Sequence, residues 1–212
     1  FRRPFLDLVL PMACLLCSGR SGPVCAGCEP EIALRARLVE RQGLTGVSVV
    51  DYSPKVAELI RAFKEQGQTT LTAGFASAMK AAISTVGRSE WLNEHPVLVP
   101  IPSHPESNRG FSPAAELAKA LAPRLKLTWL DALRLGSSVA DQAGLTAEQR
   151  SKNLIGSMTA KSWLRNRPVL LVDDLVTTGS TLREGSRAVS ANGCQVVGFI
   201  TFAETLKKTL TQ

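Results

Sequence analysis

Two sets of side chains in this chain have the types and spacing to do chemistry. The first lies in the string Val169-Leu170-Leu171-Val172-Asp173-Asp174-Leu175-Val176-Thr177-Thr178-Gly179-Ser180-Thr181-Leu182. Val169 to Val172 form a short apolar run that suits a strand buried on both faces. Asp173 and Asp174 follow at its carboxyl end, the edge at which open α/β sheets bind ligands. Thr177 to Thr181 then enter a helix, where backbone N–H groups and hydroxyls can surround a phosphate at the positive end of the helix dipole. Gly179 lets the backbone approach closely. The carboxylates repel a phosphate, so they suit hydroxyls or a divalent ion on the ligand's other side. A sugar phosphate satisfies both halves. Taken separately, the same residues are an acidic strand end and a Thr/Ser helix cap.

The second set is Cys14-x-x-Cys17 followed by Cys25-x-x-Cys28, four of the five cysteines. Two such turns can present four thiolates to one tetrahedral ion, which points to a closed, structural Zn²⁺ site with no open position for catalysis. Gly19, Gly22 and Gly27 fall where tight knuckles need a positive φ. The other use of these residues is a pair of disulfides, which calls for an oxidising compartment that the rest of the chain does not support. The fifth, Cys194, reads as a buried core thiol.

These residues need elements to hold them. Pro30 followed by Glu31 to Val39 reads as a short helix with Pro in its first turn, broken by Gln42 to Gly46. Val47 to Val50 reads as a strand, and Ser53-Pro54 opens a helix with Val56, Leu59, Ile60 and Phe63 at helical spacing. An Ala-rich helix covers about Leu71 to Ser84, and Val97 to Pro100 is a buried strand. Ser112-Pro113 caps a helix over Ala114 to Leu121, closed by Pro123. From Arg134 to Asn166 the pattern turns polar, as expected of one long functional loop. Val169 to Val172, Ser180 to Ala191 and Gln195 to Phe202 then make a β-loop-α-β unit, the mark of a parallel sheet. The expected fold is α/β, with a zinc module and connecting helix over residues 1–45 and a parallel-sheet domain over 46–212.

A hydrophobic fraction of 44% with only 5% aromatics predicts an aliphatic core rather than disorder. The net charge is +7, and residues 104–167 carry +5 of it, which suits a basic loop over a phosphate-rich ligand or a nucleic-acid surface. The apolar stretch Leu8 to Cys17 contains Pro11 and spans about ten residues, short of the ~20 that cross a bilayer. Its basic start and Leu10 to Cys14 also mimic a lipoprotein signal, although Asp7 interrupts it. A cytoplasmic protein is expected.

The phosphate-loop string resembles the signature of the type I phosphoribosyltransferases, and the chain as a whole is most similar to their ComF family, which is associated with bacterial competence for DNA uptake. The likeness includes the cysteine module, Tyr52 with Leu59-Ile60-Arg61-Ala62-Phe63-Lys64, and Val99-Pro100-Ile101-Pro102 followed by Arg109-Gly110-Phe111. It continues through Gln142-x-x-Leu145, Arg150 and Asn153. It implies that Asp173 and Asp174 hold the ribose hydroxyls of phosphoribosyl pyrophosphate, and that Thr177, Thr178, Gly179, Ser180 and Thr181 hold its 5'-phosphate. Lys64 and Arg109 resemble groups on the pyrophosphate side, and Arg150 falls in what resembles a mobile loop. Where the family has Asn after Arg-Gly-Phe, this chain has Ser112.

A transferase of this kind displaces pyrophosphate at the ribose anomeric carbon as positive charge develops on the ring, with Mg²⁺ on the pyrophosphate, positioning and loop closure supplying the catalysis. No residue stands out as a general base, since His95 and His104 read as surface residues. The rival is a non-catalytic phosphoribosyl-binding adaptor that handles single-stranded DNA or a partner motor during uptake. The basic middle segment favours it, and the shortage of aromatic stacking platforms weighs against it. A nucleotide-salvage enzyme is a third possibility, for which no base-recognition pocket is visible.

Overall fold

Gln42 and Gly43 both take up left-handed backbone, with φ of 54° and 79°. Two successive residues of that kind make the tight turn whose twist matches paired strands. They join β1 (Arg37–Arg41) to β2 (Leu44–Asp51) as an antiparallel hairpin, with Arg41 opposite Leu44 and Arg37 opposite Ser48. The connecting helix expected over 31–39 is therefore corrected: Glu29–Ile32 make one 3₁₀ turn and Arg37–Arg41 a strand. Val39 and Arg41 are buried while Leu38 and Glu40 are exposed, so the period is two rather than 3.6. The computed structural model from which this is read describes residues 13–19, 24–32, 34–65, 69–103, 111–136, 154–164 and 166–206 of the 212.

After β2 come α1 (Pro54–Glu65), α2 (Thr72–Thr85), β3 (Val97–Pro100) and α3 (Pro113–Leu125). Ser53 caps α1, its Oγ accepting from Val56 N at 3.3 Å, and Ser112 caps α3 in the same way through Ala115 N at 3.4 Å. Pro123 does not end α3 as expected. The helix runs on to Leu125 and stops at Lys126, which is left-handed at φ 57°. A proline this close to a helix end forfeits little, and the Arg124 guanidinium meets the nearby Ala120 carbonyl at 2.6 Å.

The segment expected as one long loop is also partly ordered. β4 (Leu133–Leu135) and β5 (Met158–Ala160) pair antiparallel as a separate two-stranded ribbon. β6 (Pro168–Val176), α4 (Ser180–Ser190) and β7 (Gln195–Glu204) complete the chain order. The main sheet runs β1-β2-β7-β6-β3, parallel throughout except for the edge strand β1. This mixed sheet with helices on both faces is the expected α/β architecture, with an antiparallel edge strand added.

Alternation along β6 divides the core in two. Leu170 and Val172 pack with α1, α2 and α3 on one face, whereas Val169 and Leu171 pack with α4 and the β4–β5 ribbon on the other. From Val169 to Val172 successive residues face different layers, and further along Asp174 turns toward α1, where it meets Lys64. On the α4 face, the Phe199 ring lies over Gly46, so a Cβ there would sit 2.3 Å from ring carbons. Gly46→Ala should destabilise the chain by about 1–3 kcal/mol through overpacking. Denaturant unfolding checks it, and an unchanged midpoint would mean that Phe199 yields freely.

Candidate functional site

The carboxyl ends of β2, β6 and β7 bring charged residues together from segments far apart in sequence. Asp174 is buried, and Lys64, the last basic residue of α1, places Nζ 2.9 Å from its Oδ2. The pair is aligned as an ion pair rather than a hydrogen bond, so that buried oxygen has no hydrogen-bond donor among the described residues. Asp173 accepts from the Asp174 backbone N–H at 2.9 Å. Its carboxyl is held well above the ordinary aspartate range by desolvation first and then by the adjacent Asp174 charge, against a smaller pull from Lys64.

Thr177 to Thr181 leave β6 and enter α4. Gly179 is the N-cap at φ 82°, a conformation that a residue with a side chain rarely adopts, and the Thr178 Oγ1 accepts from the first-turn Ser180 N–H at 3.3 Å. The Thr178 and Ser180 hydroxyls lie 2.9 Å apart at the loop's tip. Hydroxyls and first-turn amides thus gather at the positive end of an eleven-residue helix, next to two carboxylates at the end of its preceding strand. Such a site can take an anion on one side and hydroxyls or a cation on the other.

The hairpin supports this loop, which the sequence did not reveal. Arg41 is buried, and its Nε donates to the Thr177 carbonyl at 3.0 Å while its Nη2 donates to Glu204 Oε2 at 2.7 Å and Thr205 O at 2.8 Å. Arg37 pairs with both Glu204 and Asp51. The usable signal was the Gln42-Gly43 dipeptide, a hairpin turn that places Arg37, Val39 and Arg41 on the inward side. Arg109 and Arg150 lie outside the described residues, as does His104; His95 is exposed.

The cysteines converge as their spacing implies. All four Sγ atoms lie within 4.8 Å of one another, with Cys17 and Cys25 Sγ at 3.6 Å. Tetrahedral Zn–S bonds of ~2.3 Å put sulfurs roughly 3.8 Å apart, so the cluster can hold a metal ion such as zinc. The positive φ expected at the glycines is corrected: Ser18 takes it, at 60°, and Gly19 and Gly27 do not. Gly19 is useful for closeness instead, since a Cβ there would meet Cys17 Sγ at 3.3 Å, while Gly22 lies outside the described residues. Burial works against the Cys14 thiolate, yet backbone N–H groups of Leu16, Cys25 and Cys17 draw its pKa down to about 6. Hydrogen bonding to the neighbouring Cys25 and Cys17 sulfurs, helped by burial, pushes Cys28 up to about 12. Cys194 is the buried thiol expected, donating to Leu164 O at 2.8 Å.

Residues 68–212 match the model of the phosphoribosyl transferase domain, and the chain belongs to that family. Competence protein F of Haemophilus influenzae is 28% identical over 204 residues, covering 86% of this chain and 87% of that protein. DNA utilization protein YhgH of Escherichia coli is 27% identical over 163 residues, with 76% and 72% covered, and competence protein ComFC of Bacillus subtilis 29% over 173 residues, with 80% and 67% covered. Within the phosphoribosyl transferase family, the chain is similar to these competence and DNA utilization proteins, as the likeness to the ComF family led one to expect. No described helix is long and apolar enough to cross a membrane.

Two outcomes follow. Elemental analysis of the purified chain should find one metal ion per chain, and Cys17→Ser or Cys25→Ser should lower its retention. Two disulfides by mass spectrometry with no metal would contradict this. The second outcome concerns Asp173. Its raised pKa means the folded state keeps a proton that the unfolded chain has lost, so the stability it contributes is present at low pH and declines as pH rises through the folded value. Asp173→Asn should accordingly raise the melting temperature of the ligand-free protein at neutral pH, and the gain should vanish in acid. Thermal unfolding at two pH values measures it; equal or lower stability at neutral pH contradicts the charge assignment.

Proposed function

We propose that this chain binds phosphoribosyl pyrophosphate with Mg²⁺ and acts as a phosphoribosyltransferase-type protein related to amidophosphoribosyltransferases. The observation that carries the reading is the junction of β6 and α4, where an under-compensated acidic pair adjoins a phosphate loop entered through a left-handed glycine. Thr177 to Thr181 hold the 5'-phosphate through amides and hydroxyls. Asp173 and Asp174 accept from the ribose 2'- and 3'-hydroxyls, and Lys64 lies where its charge can reach both the acidic pair and the pyrophosphate side. In this reading Arg109 completes the pyrophosphate side, and Arg150 lies in the loop that closes over the substrate. The buried Asp174 oxygen without a donor and the neighbouring carboxyl fit a divalent ion nearby, and Mg²⁺ supplies charge neutralisation of the leaving pyrophosphate when bound. The residues themselves fix the ribose between two anchors, which leaves its anomeric carbon open to attack.

We also propose that the metal of the cysteine module is structural zinc, held by Cys14, Cys17, Cys25 and Cys28 in an N-terminal module that precedes β1. The protein's setting in this reading is the cytoplasm, in the handling of incoming DNA; what supports it is the likeness to a competence protein and a DNA utilization protein.

A second reading keeps the ligand and drops the turnover. Trp163 is exposed, with Lys161 Nζ 5.5 Å above its ring, which offers a base-stacking platform with a phosphate-binding charge beside it. Together with the basic segment 104–167 it favours a phosphoribosyl-binding adaptor for single-stranded DNA or a competence partner.

The double variant Asp173→Asn, Asp174→Asn tests the common core of both readings. Charge-assisted bonds to hydroxyls contribute roughly 1.5–3 kcal/mol each, so phosphoribosyl pyrophosphate affinity should fall ~100-fold or more with the fold intact. Undiminished affinity refutes the site. Pyrophosphate release with candidate amine acceptors separates the readings: turnover supports the transferase. Its absence, with single-stranded DNA binding that Trp163→Ala weakens, supports the adaptor.

A further inference from the structure

A phosphate loop binds only if its amides point at the anion, and the direction of an amide is set by the carbonyl on the other side of its peptide plane. The trans peptide is planar, so the Thr177 C=O and the Thr178 N–H point in opposite directions, as do the Thr178 C=O and the Gly179 N–H. Both carbonyls are turned toward the β1–β2 hairpin. Arg41 Nε donates to Thr177 O at 3.0 Å, and Gln42 Nε2 reaches Thr178 O at 3.4 Å. The N–H groups of Thr178 and Gly179 consequently face away from the hairpin. Gly179 lies close against the same residue, because a Cβ there would lie 2.5 Å from Arg41 Cβ.

Arg41 is fixed before it acts. Its Nη1 donates to its neighbour's carbonyl, Glu40 O, at 3.0 Å, and its Nη2 spans Glu204 Oε2 and Thr205 O at the end of β7. Its charge is matched by Glu204 within a group in which Arg37 pairs with Asp51 and Glu204, two cations against two carboxylates. A guanidinium neutralised in this way acts chiefly through the placement of its donors, not as a free charge for an anion.

We propose that Arg41, assisted by Gln42, is a positioning residue that turns the Thr178 and Gly179 amides toward the ligand's phosphate and so makes the edge hairpin part of the phosphate site. The inference rests on the phosphate-binding reading of the β6–α4 loop. It implies that the hairpin, the part of the sheet nearest in sequence to the cysteine module, governs phosphate affinity without touching phosphate.

The test uses the ¹⁵N-labelled full chain titrated with ribose 5-phosphate, in wild type, Arg41→Lys and Gln42→Gly. Lysine keeps the charge and has a methylene where Arg41 has Nε, so it loses the donor to Thr177 O. Glycine removes the Gln42 side chain at a position already left-handed at φ 54°, which it tolerates well. In wild type, the Thr178 and Gly179 amide signals should move downfield on saturation. In Arg41→Lys, affinity should fall about tenfold and the Thr178 response should shrink, with urea unfolding showing the chain still folded. Wild-type affinity and wild-type amide shifts in folded Arg41→Lys overturn the proposal. Should that variant not fold, Gln42→Gly decides: a weaker affinity with a smaller Gly179 shift upholds it, and no change overturns it. Wild type that binds without moving either amide also overturns it, whereas wild type that does not bind ribose 5-phosphate at all removes the underlying phosphate-site reading.

Discussion

The organising constraint of this molecule is the compensation of negative charge at the carboxyl ends of three adjacent parallel strands. Asp51 ends β2, Asp173 and Asp174 lie near the end of β6, and Glu204 ends β7. Four carboxylates at one edge meet three cations: Arg37 and Arg41 from the edge hairpin, and Lys64 from α1. Removing ions from water costs several kcal/mol each unless they are paired, so each of these cations is required by the position it occupies. Among the described residues Asp173 alone of the four has no ion pair, and its carboxyl is the one pushed well above the ordinary range. The site is therefore built with one carboxyl that lacks a cation, where a hydroxyl donor or cation belongs.

Much of this architecture was legible in the chain. Val169 to Leu182 carried its own evidence, because an apolar run, two acids, a Thr/Gly loop and a helix are all local features whose physics does not depend on distant residues. The cysteine pairs were legible for the same reason. The hairpin was not. Glu31 to Val39 has helix-forming residues after a proline, and only pairing with β2, together with buried carboxylates contributed by β2 and β7, makes a strand with two inward arginines the better state. That is tertiary context overriding propensity. Similarly, β4 and β5 are three residues each and lie on either side of a polar stretch, too short for periodicity to register. Glu184, buried on α4, anchors that ribbon by accepting from Met158 N at 2.9 Å, and nothing local marks it for the role.

The cysteine module and the sheet are also more connected than two separate units would be. Leu15, Leu16, Val24 and Ile32 pack against the core cluster on the α1–α2–α3 face, and a cavity of about 290 Å³ lies where Val24, Ile32 and Leu34 meet Leu59, Phe75 and Phe202. The chain then passes within a few residues into β1 and the arginines that brace the phosphate loop. The cysteine turns pack on the helical face of the core, and the hairpin that follows braces the loop through Arg41 and Gln42.

The central claim is that the junction of β6 and α4 is a phosphoribosyl site whose acidic half and phosphate half act together. Isothermal titration of the full chain with phosphoribosyl pyrophosphate, with and without Mg²⁺, tests it most directly. The account predicts saturable binding of one ligand per chain that tightens with Mg²⁺, with inorganic phosphate competing only weakly because it engages the loop alone. Binding no tighter than that of inorganic phosphate, or no saturable heat in either condition, would contradict it.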